Sequence, residues 1–126
     1  MKTIEQDYLI AAPVEAVWGA LTDAEAMAQW SGDAAHSDAT VGGDFSLWDG
    51  DIHGTYTLLA PHRVIQQDWY GHDYPERKFT VSFQLRPVSQ GTNVHLVYSG
   101  EIEDEAKDIQ DWQRYYFLPI RKILES

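Results

Sequence analysis

The feature that most constrains the fold of this chain is a single apolar stripe near the C-terminus. Apolar side chains recur there in steps of three or four residues, which is the period of one helix face. The stripe consists of Ile109, Trp112, Tyr116, Ile120 and Ile123, and Phe117 and Leu124 widen it. The acidic segment before the stripe is interpreted as a solvated helix start, which the helix dipole favours. The pattern predicts one long amphipathic helix.

Most of the remaining chain alternates between apolar and polar residues, which is typical of half-buried strands. The clearest case is KFTVSFQLR, in which the residues of one face are Phe79, Val81, Phe83 and Leu85. Strands are also predicted within residues 3–10, 44–48, 52–59, 63–70 and 93–100. Asp49 and Gly50 separate two of these strands and predict a tight hairpin, because both residue types tolerate positive φ.

Two short helices are predicted after the first strand. The segment APVEAVWGALTD repeats apolar residues at helical spacing, and Thr22 and Glu25 in the next segment have the spacing of a capping box. A single antiparallel sheet must cover its apolar face, and only the C-terminal helix is long enough to do so. The order of elements therefore predicts an α+β helix-grip fold, a curved antiparallel sheet wrapped around the long helix. Residues 1–126 are expected to form one domain.

Composition and charge argue against several classes of function. The formal charge of −11 disfavours nucleic acid and anionic lipid, since binding to both relies on basic residues. No apolar run is long enough for a membrane span, and the N-terminus lacks a signal-peptide pattern. The chain has no cysteine, which fits a cytoplasmic protein. The five histidines show no metal-ligand spacing, so neither a metal nor a cofactor is expected.

Large aromatic residues on the predicted sheet and helix suggest a cavity between the two. The candidate lining residues are Phe45, Tyr56, Trp69, Phe83, Trp112 and Tyr116. Ligand pockets are mostly apolar with a few placed polar groups, and His53 and Gln67 are the candidates for that role. The same spacing also fits ordinary core packing, in which these rings simply seal the sheet. The residue pattern alone leaves both interpretations open.

Pro119 is the residue of the predicted helix that packing explains least. A proline inside a helix lacks the N–H that would bond the carbonyl of Tyr115, at a cost of roughly 3 kcal/mol. We expect a kink there, and we hypothesise that the kinked last turns act as a gate over the sheet.

Three segments of the chain resemble a known family. They are AAPVEAVWGALTDAEAMAQW, VGGDFSLWDGDIHGTYTLLAPHRVIQQDW and DWQRYYFLPI, of which GGDFSLWDGDIHG and WQRYYF are the most specific parts. Together they resemble the Aha-type family, the C-terminal domain of the activator of the ninety-kilodalton heat-shock chaperone ATPase. That family is part of the START-like, or SRPBCC, superfamily. The resemblance implies a helix-grip fold with a cavity between the sheet and the long helix.

The resemblance also implies three alternative functions. Single-domain members of the superfamily mostly bind small apolar molecules, so the leading expectation is a small apolar or aromatic ligand in the cavity. The second alternative is an interaction module that stimulates a chaperone ATPase. In two-domain activators, however, a separate N-terminal domain makes much of the chaperone contact, and this chain starts at the first strand of the other domain. The third alternative is a cyclase or hydrolase that acts in the same cavity.

Overall fold

In the computed structural model, which describes residues 1–125, seven strands form one antiparallel sheet. The strands are β1 (Lys2–Ile10), β2 (His36–Ser37), β3 (Asp44–Leu47), β4 (Ile52–Ala60), β5 (Val64–Gly71), β6 (Phe79–Val88) and β7 (Gly91–Gly100). Their order across the sheet is β1-β7-β6-β5-β4-β3-β2, so only the pairing of β1 with β7 joins strands distant in sequence. The predicted α+β helix-grip fold is confirmed.

Helices lie between β1 and β2 and after β7. The first two are α1 (Val14–Thr22) and α2 (Ala24–Ser31). The C-terminal helix has three consecutive parts: α3 (Glu105–Asp111), a π-helical turn (Trp112–Phe117) and α4 (Leu118–Leu124). No helix in the described part of the chain is long and apolar enough to cross a membrane.

The alternation of the strands sets the inner face of the sheet. On β6, Val81, Phe83 and Leu85 are buried while the residues between them are more exposed, as predicted. Phe83 pairs with Leu96 of β7 on one side and with Ile65 of β5 on the other, and all three are fully buried. Apolar residues of three adjacent strands thus face the C-terminal helix and form the centre of the core.

The predicted capping box at α2 is wrong. Thr22 still belongs to α1, where its buried hydroxyl donates to the carbonyl of Trp18 at 2.8 Å. The N-cap is the next residue, Asp23, whose carboxylate accepts a hydrogen bond from the backbone N–H of Ala26 at 3.0 Å. A carboxylate serves as well as a hydroxyl at this position and also complements the helix dipole.

The C-terminal helix faces the sheet in a different register from the one the stripe predicts. Trp112, Tyr116, Phe117 and Ile120 are buried as expected, whereas Ile123 is 41% exposed. The π-helical turn explains the difference, since its i→i+5 hydrogen bonds place an extra residue in one turn. With that residue, both Tyr116 and Phe117 lie on the inner face, and Ile123 faces outward while Ile120 stays buried.

Candidate functional site

The six rings predicted to line a cavity form one packed cluster in the structure. All six are at most 7% exposed, and each ring centroid lies within 6.4 Å of at least one other. Phe45 packs on Tyr56 at 5.4 Å, and Phe83 packs on Tyr116 at 5.7 Å. These side chains occupy much of the space between sheet and helix themselves. Open space lies at one end of the cluster.

At that end lies a cleft of about 430 Å³ between the β3–β4 hairpin, β5, β7 and the first half of the C-terminal helix. Its lining consists of Trp48, Asp51, Ile52, Trp69, Tyr98, Asp108, Asp111, Trp112, Tyr115 and Tyr116. We call this space the aromatic cleft, because six of the ten lining residues are Trp or Tyr. Of the predicted cavity residues, Trp69, Trp112 and Tyr116 line it, whereas Phe45, Tyr56 and Phe83 do not.

The π-helical turn places three rings of the aromatic cleft. Trp112 opens the turn, and its ring centroid lies 4.8 Å from that of Tyr116 and 4.9 Å from that of Trp69 on β5. Tyr115 lies on the same turn but is 52% exposed, so it forms the outer wall. Turns of π-helix occur frequently at functional sites because they change which side chains one helix face presents.

The β3–β4 hairpin places Trp48 at the other side of the cleft. The predicted Asp49–Gly50 turn is confirmed, with φ of 54° and 91°, but Trp48 also has a positive φ of 52°. A bulky residue in this left-handed region is strained by roughly 1–2 kcal/mol. Its ring packs edge-on against Trp30 at 6.1 Å and Tyr116 at 6.3 Å, which holds the strained conformation in place.

Three carboxylates line the aromatic cleft together with the rings. Asp51 comes from the hairpin, and Asp108 and Asp111 come from α3. Asp111 accepts a hydrogen bond from the ammonium of Lys107 at 2.8 Å. Asp108 is half-buried, and that burial is the main reason why its pKa lies above the usual range for a carboxyl. Neighbouring carboxylates add to this effect, and Lys107 opposes it.

Burial also controls the ionisation of the tyrosines around the cleft. It raises the pKa of both Tyr98 and Tyr116 well above that of an exposed tyrosine, and the negative charge on Asp108 acts in the same direction on Tyr98. Both phenols therefore stay neutral at ordinary pH. The aromatic cleft presents neutral hydroxyl groups and anionic carboxylates, and none of the described lining residues is cationic.

Gln67 and His53, the two predicted polar groups, lie in different places. Gln67 is buried on the inner face of β5, and its Oε1 accepts a hydrogen bond from the indole Nε1 of Trp69 at 2.7 Å. Its Nε2 has no hydrogen-bond partner among the described residues. His53 is exposed on β4, where its ring stacks on Tyr70 with centroids 5.9 Å apart. The structure thus brings Gln67 to the ring cluster and leaves His53 outside it.

Pro119 does not line the aromatic cleft. It lies in the first turn of α4, and one residue, Leu118, separates it from the π-helical turn. The N–H of Leu118 bonds the carbonyl of Gln113, five residues back. The backbone angles of Phe117 and Leu118 stay in the helical region, so the chain adapts to the proline by widening one turn.

Seven residues of the cleft were not among the site residues predicted from the sequence. The missed residues are Trp48, Asp51, Ile52, Tyr98, Asp108, Asp111 and Tyr115. The acidic residues of α3 resemble an ordinary solvated helix start, and the hairpin resembles ordinary turn chemistry. The one available signal was that GGDFSLWDGDIHG contains a Trp among three aspartates and that WQRYYF directly follows Asp111. Neither motif alone indicates that the two segments lie side by side in the structure.

No group of three or more His, Asp or Glu side chains in the described residues is arranged to hold a metal ion.

Comparison with known sequences places the chain in a family. The model of the family described as Activator of Hsp90 ATPase homolog 1-like protein matches residues 11–125. Activator of 90 kDa heat shock protein ATPase homolog 2 from Mus musculus is 29% identical over 114 residues, which cover 89% of this chain and 34% of that protein. Homolog 1 from Homo sapiens is 31% identical over 94 residues, which cover 69% of this chain and 28% of that protein. The chain thus spans about a third of the length of these relatives.

Solved structures share the architecture over almost the whole chain. An HSP90 activator from Plasmodium falciparum superimposes with a TM-score of 0.81 at 26% identity, covering 98% of this chain and 95% of that one. The Aha1 dimer from Colwellia psychrerythraea gives a TM-score of 0.82 at 22% identity, covering 99% and 97%, and shows the same fold. From the family match over residues 11–125, we conclude that the chain belongs to the family of Activator of Hsp90 ATPase homolog 1-like proteins.

Proposed function

We propose that this protein binds a small apolar or aromatic molecule in the aromatic cleft and acts as a binding module. The observation that carries the proposal is the open volume of about 430 Å³, bounded by six Trp and Tyr side chains, next to an otherwise ring-filled interior. Pockets for small ligands usually have volumes of roughly 300–1,000 Å³ and mostly apolar walls. Burying a ligand ring against these walls removes apolar surface from water, which favours binding.

The chemistry of the lining favours binding over catalysis. The described lining residues include no Ser, Cys, Lys or His, which serve many hydrolytic enzymes as nucleophile or general base, and their ionisable groups are carboxylates and phenols. The rings supply contact area, and the few polar atoms supply orientation. A binding module needs nothing more.

The indole N–H resonances in an NMR spectrum test the proposal and locate the ligand. Trp48, Trp69 and Trp112 line the cleft, whereas Trp18 on α1 does not and serves as an internal control. We expect some members of a panel of neutral, cationic and anionic aromatic compounds to shift the first three resonances and leave Trp18 unchanged. The same compounds should raise the melting temperature, since a ligand of the folded state stabilises it.

Two outcomes would contradict the proposal. One is a panel in which no compound shifts the three cleft resonances. The other is binding that shifts Trp18 as much as Trp48, which would place the ligand elsewhere.

A second candidate function is stimulation of a chaperone ATPase. It is favoured by the 31% identical human relative, which is described as an activator of the 90 kDa heat shock protein ATPase. The test is ATP turnover by the purified ninety-kilodalton chaperone of the same organism, with and without an excess of this protein. Acceleration would support the role, and an unchanged rate at saturating protein would remove it.

A further inference from the structure

We infer that the ligand of the aromatic cleft carries a protonated amine attached to its apolar body, with the cation held between Asp108 and the indole faces. This inference rests on the proposed binding function and names the chemical class of the ligand. It depends on the charge of the cleft, on the partners of each carboxylate and on the kind of ring around them.

The cleft has unbalanced negative charge. Of its three carboxylates, only that of Asp111 is paired, by Lys107. The carboxylates of Asp51 and Asp108 have no hydrogen-bond or ion-pair partner among residues 1–125. Burial disfavours the charged form of Asp108 and raises its pKa, and the charge on Lys107 opposes this effect only in part. A ligand cation beside Asp108 would supply further compensation.

The surface beside the cleft extends the negative field. An adjoining groove shares six lining residues with the cleft, and its wall contains seven carboxylates against one Lys and one Arg. The Arg, Arg77, is held by Glu103 at 2.8 Å and lies 3.6 Å from Glu101, so its charge is already offset. A concave surface lined by one sign of charge raises the local concentration of the opposite ion. This field favours cationic ligands and opposes anionic ones.

The rings of the cleft suit a cation as well as an apolar group. Trp is the best partner for a cation over a ring face, and Tyr follows. Trp48, Trp69 and Trp112 supply three indoles in one space of about 430 Å³. A carboxylate or phosphate ligand would instead meet the negative faces of these rings and three aspartates. An amine on an aromatic or aliphatic body is the class that satisfies both parts of the lining.

Three probes of nearly equal size separate the classes: 2-phenylethylamine, 2-phenylethanol and 3-phenylpropionate. Affinities are measured from the cleft indole resonances and by calorimetry at neutral pH and low salt. We expect the amine to bind about tenfold more tightly than the alcohol and the carboxylate to bind most weakly. Raising NaCl from about 0.02 M to about 0.5 M should reduce the advantage of the amine, because salt screens the carboxylates.

The outcomes distinguish this inference from the proposed function. If the alcohol binds as tightly as the amine, the amine inference is wrong while the binding function stands. If none of the three probes and no compound of the wider panel shifts the cleft indoles, the proposed function fails as well.

The matched variants are Asp108→Asn and Glu25→Gln. Both remove one negative charge with little change in shape, but Glu25 is exposed on α2 away from the cleft. We expect Asp108→Asn to lower amine affinity by about five- to tenfold, so that most of the preference for the amine over the alcohol is lost. Glu25→Gln should change neither. Equal loss of amine affinity in both variants would show that the net charge of the protein, and not Asp108 itself, favours the amine. That result would overturn the assignment of Asp108. Because the probe series uses the unaltered protein, the inference remains testable if Asp108→Asn folds poorly.

Discussion

The indole rings of Trp69 and Trp112 stack with their centroids 4.9 Å apart and their planes 29° apart. Trp69 belongs to the sheet and Trp112 to the π-helical turn, so the pair joins the two layers of the fold. Both rings also line the aromatic cleft, and Trp112 contacts Phe83 of the closed core at 6.0 Å. The pair is therefore the boundary between the filled interior and the open cleft.

Trp112→Ala should lower the free energy of unfolding by about 3–5 kcal/mol, because it removes a large buried ring and leaves a cavity behind. The matched control is Tyr115→Ala on the same turn, where the ring is 52% exposed and the cost should stay below about 1 kcal/mol. Chemical denaturation followed by circular dichroism measures both. Similar losses in the two variants would show that Trp112 is not a core residue.

Gly54→Ala should strongly destabilise the protein. A Cβ at Gly54 on β4 would collide with the backbone carbonyl of Asp68 on β5, and a backbone atom of a central strand cannot move aside cheaply. Gly19→Ala, inside α1 with no neighbouring atom near its Cβ, should instead stabilise by about 0.5–1 kcal/mol. Melting temperatures of the two variants should move in opposite directions, and a neutral Gly54→Ala would contradict the close approach.

Pro119→Ala tests whether the end of the C-terminal helix acts as a gate. Restoring a backbone N–H at this position should raise the free energy of unfolding by about 1 kcal/mol. If the π-helical turn and α4 open to admit ligand, the variant should also slow ligand association and dissociation in stopped-flow fluorescence. Leu118→Ala, which changes an exposed neighbour and keeps the proline, is the control. Higher stability with unchanged ligand rates would exclude the gate.

The pH dependence of stability should include a contribution from His95 on the outer face of β7. Its Nδ1 lies 3.0 Å from Asp7 and its Nε2 lies 3.1 Å from Glu5, and the hydrogen bond to Asp7 is the main cause that raises the pKa of the imidazole above its usual value. A raised pKa in the folded state means that this contribution is complete below about pH 6.5 and is lost as pH rises through the folded-state pKa.

We therefore expect the free energy of unfolding to fall between about pH 6 and pH 8 by less than about 1 kcal/mol, because the pair is solvent-exposed and screened. Denaturation midpoints across this range measure the slope. His95→Gln should remove it, whereas His72→Gln, at an exposed site outside these pairs, should retain it. An unchanged slope in His95→Gln would assign the dependence to other groups.

Much of the fold was predictable because local sequence patterns specified its helices, strands and turns. The alternation in KFTVSFQLR specified which face of β6 is buried, and the stripe containing Trp112 and Tyr116 specified the helix that covers the sheet. Asp49 and Gly50 specified the hairpin between β3 and β4 through their tolerance of positive φ. Each of these signals depends on residues a few positions apart, and such spacing is visible in the chain itself.

The details that were wrong involve choices between neighbouring residues. Thr22 and Asp23 are both good cap residues, and only the packing of α1 decides that the hydroxyl of Thr22 is used elsewhere. Ile123, which the stripe predicts to be buried, is half-exposed because one π-helical turn shifts the register of the helix. A regular period of three or four residues does not contain that shift.

By itself, the sequence determined the α+β helix-grip fold, the hairpin and the aromatic character of the space between sheet and helix. The tertiary structure alone decided that the six predicted rings pack together, and that open volume remains beside Trp48, Asp108 and Tyr115. The physical reason is distance along the chain. The hairpin and the C-terminal helix lie about sixty residues apart. Their side chains therefore share a cleft only because the sheet brings the two elements together.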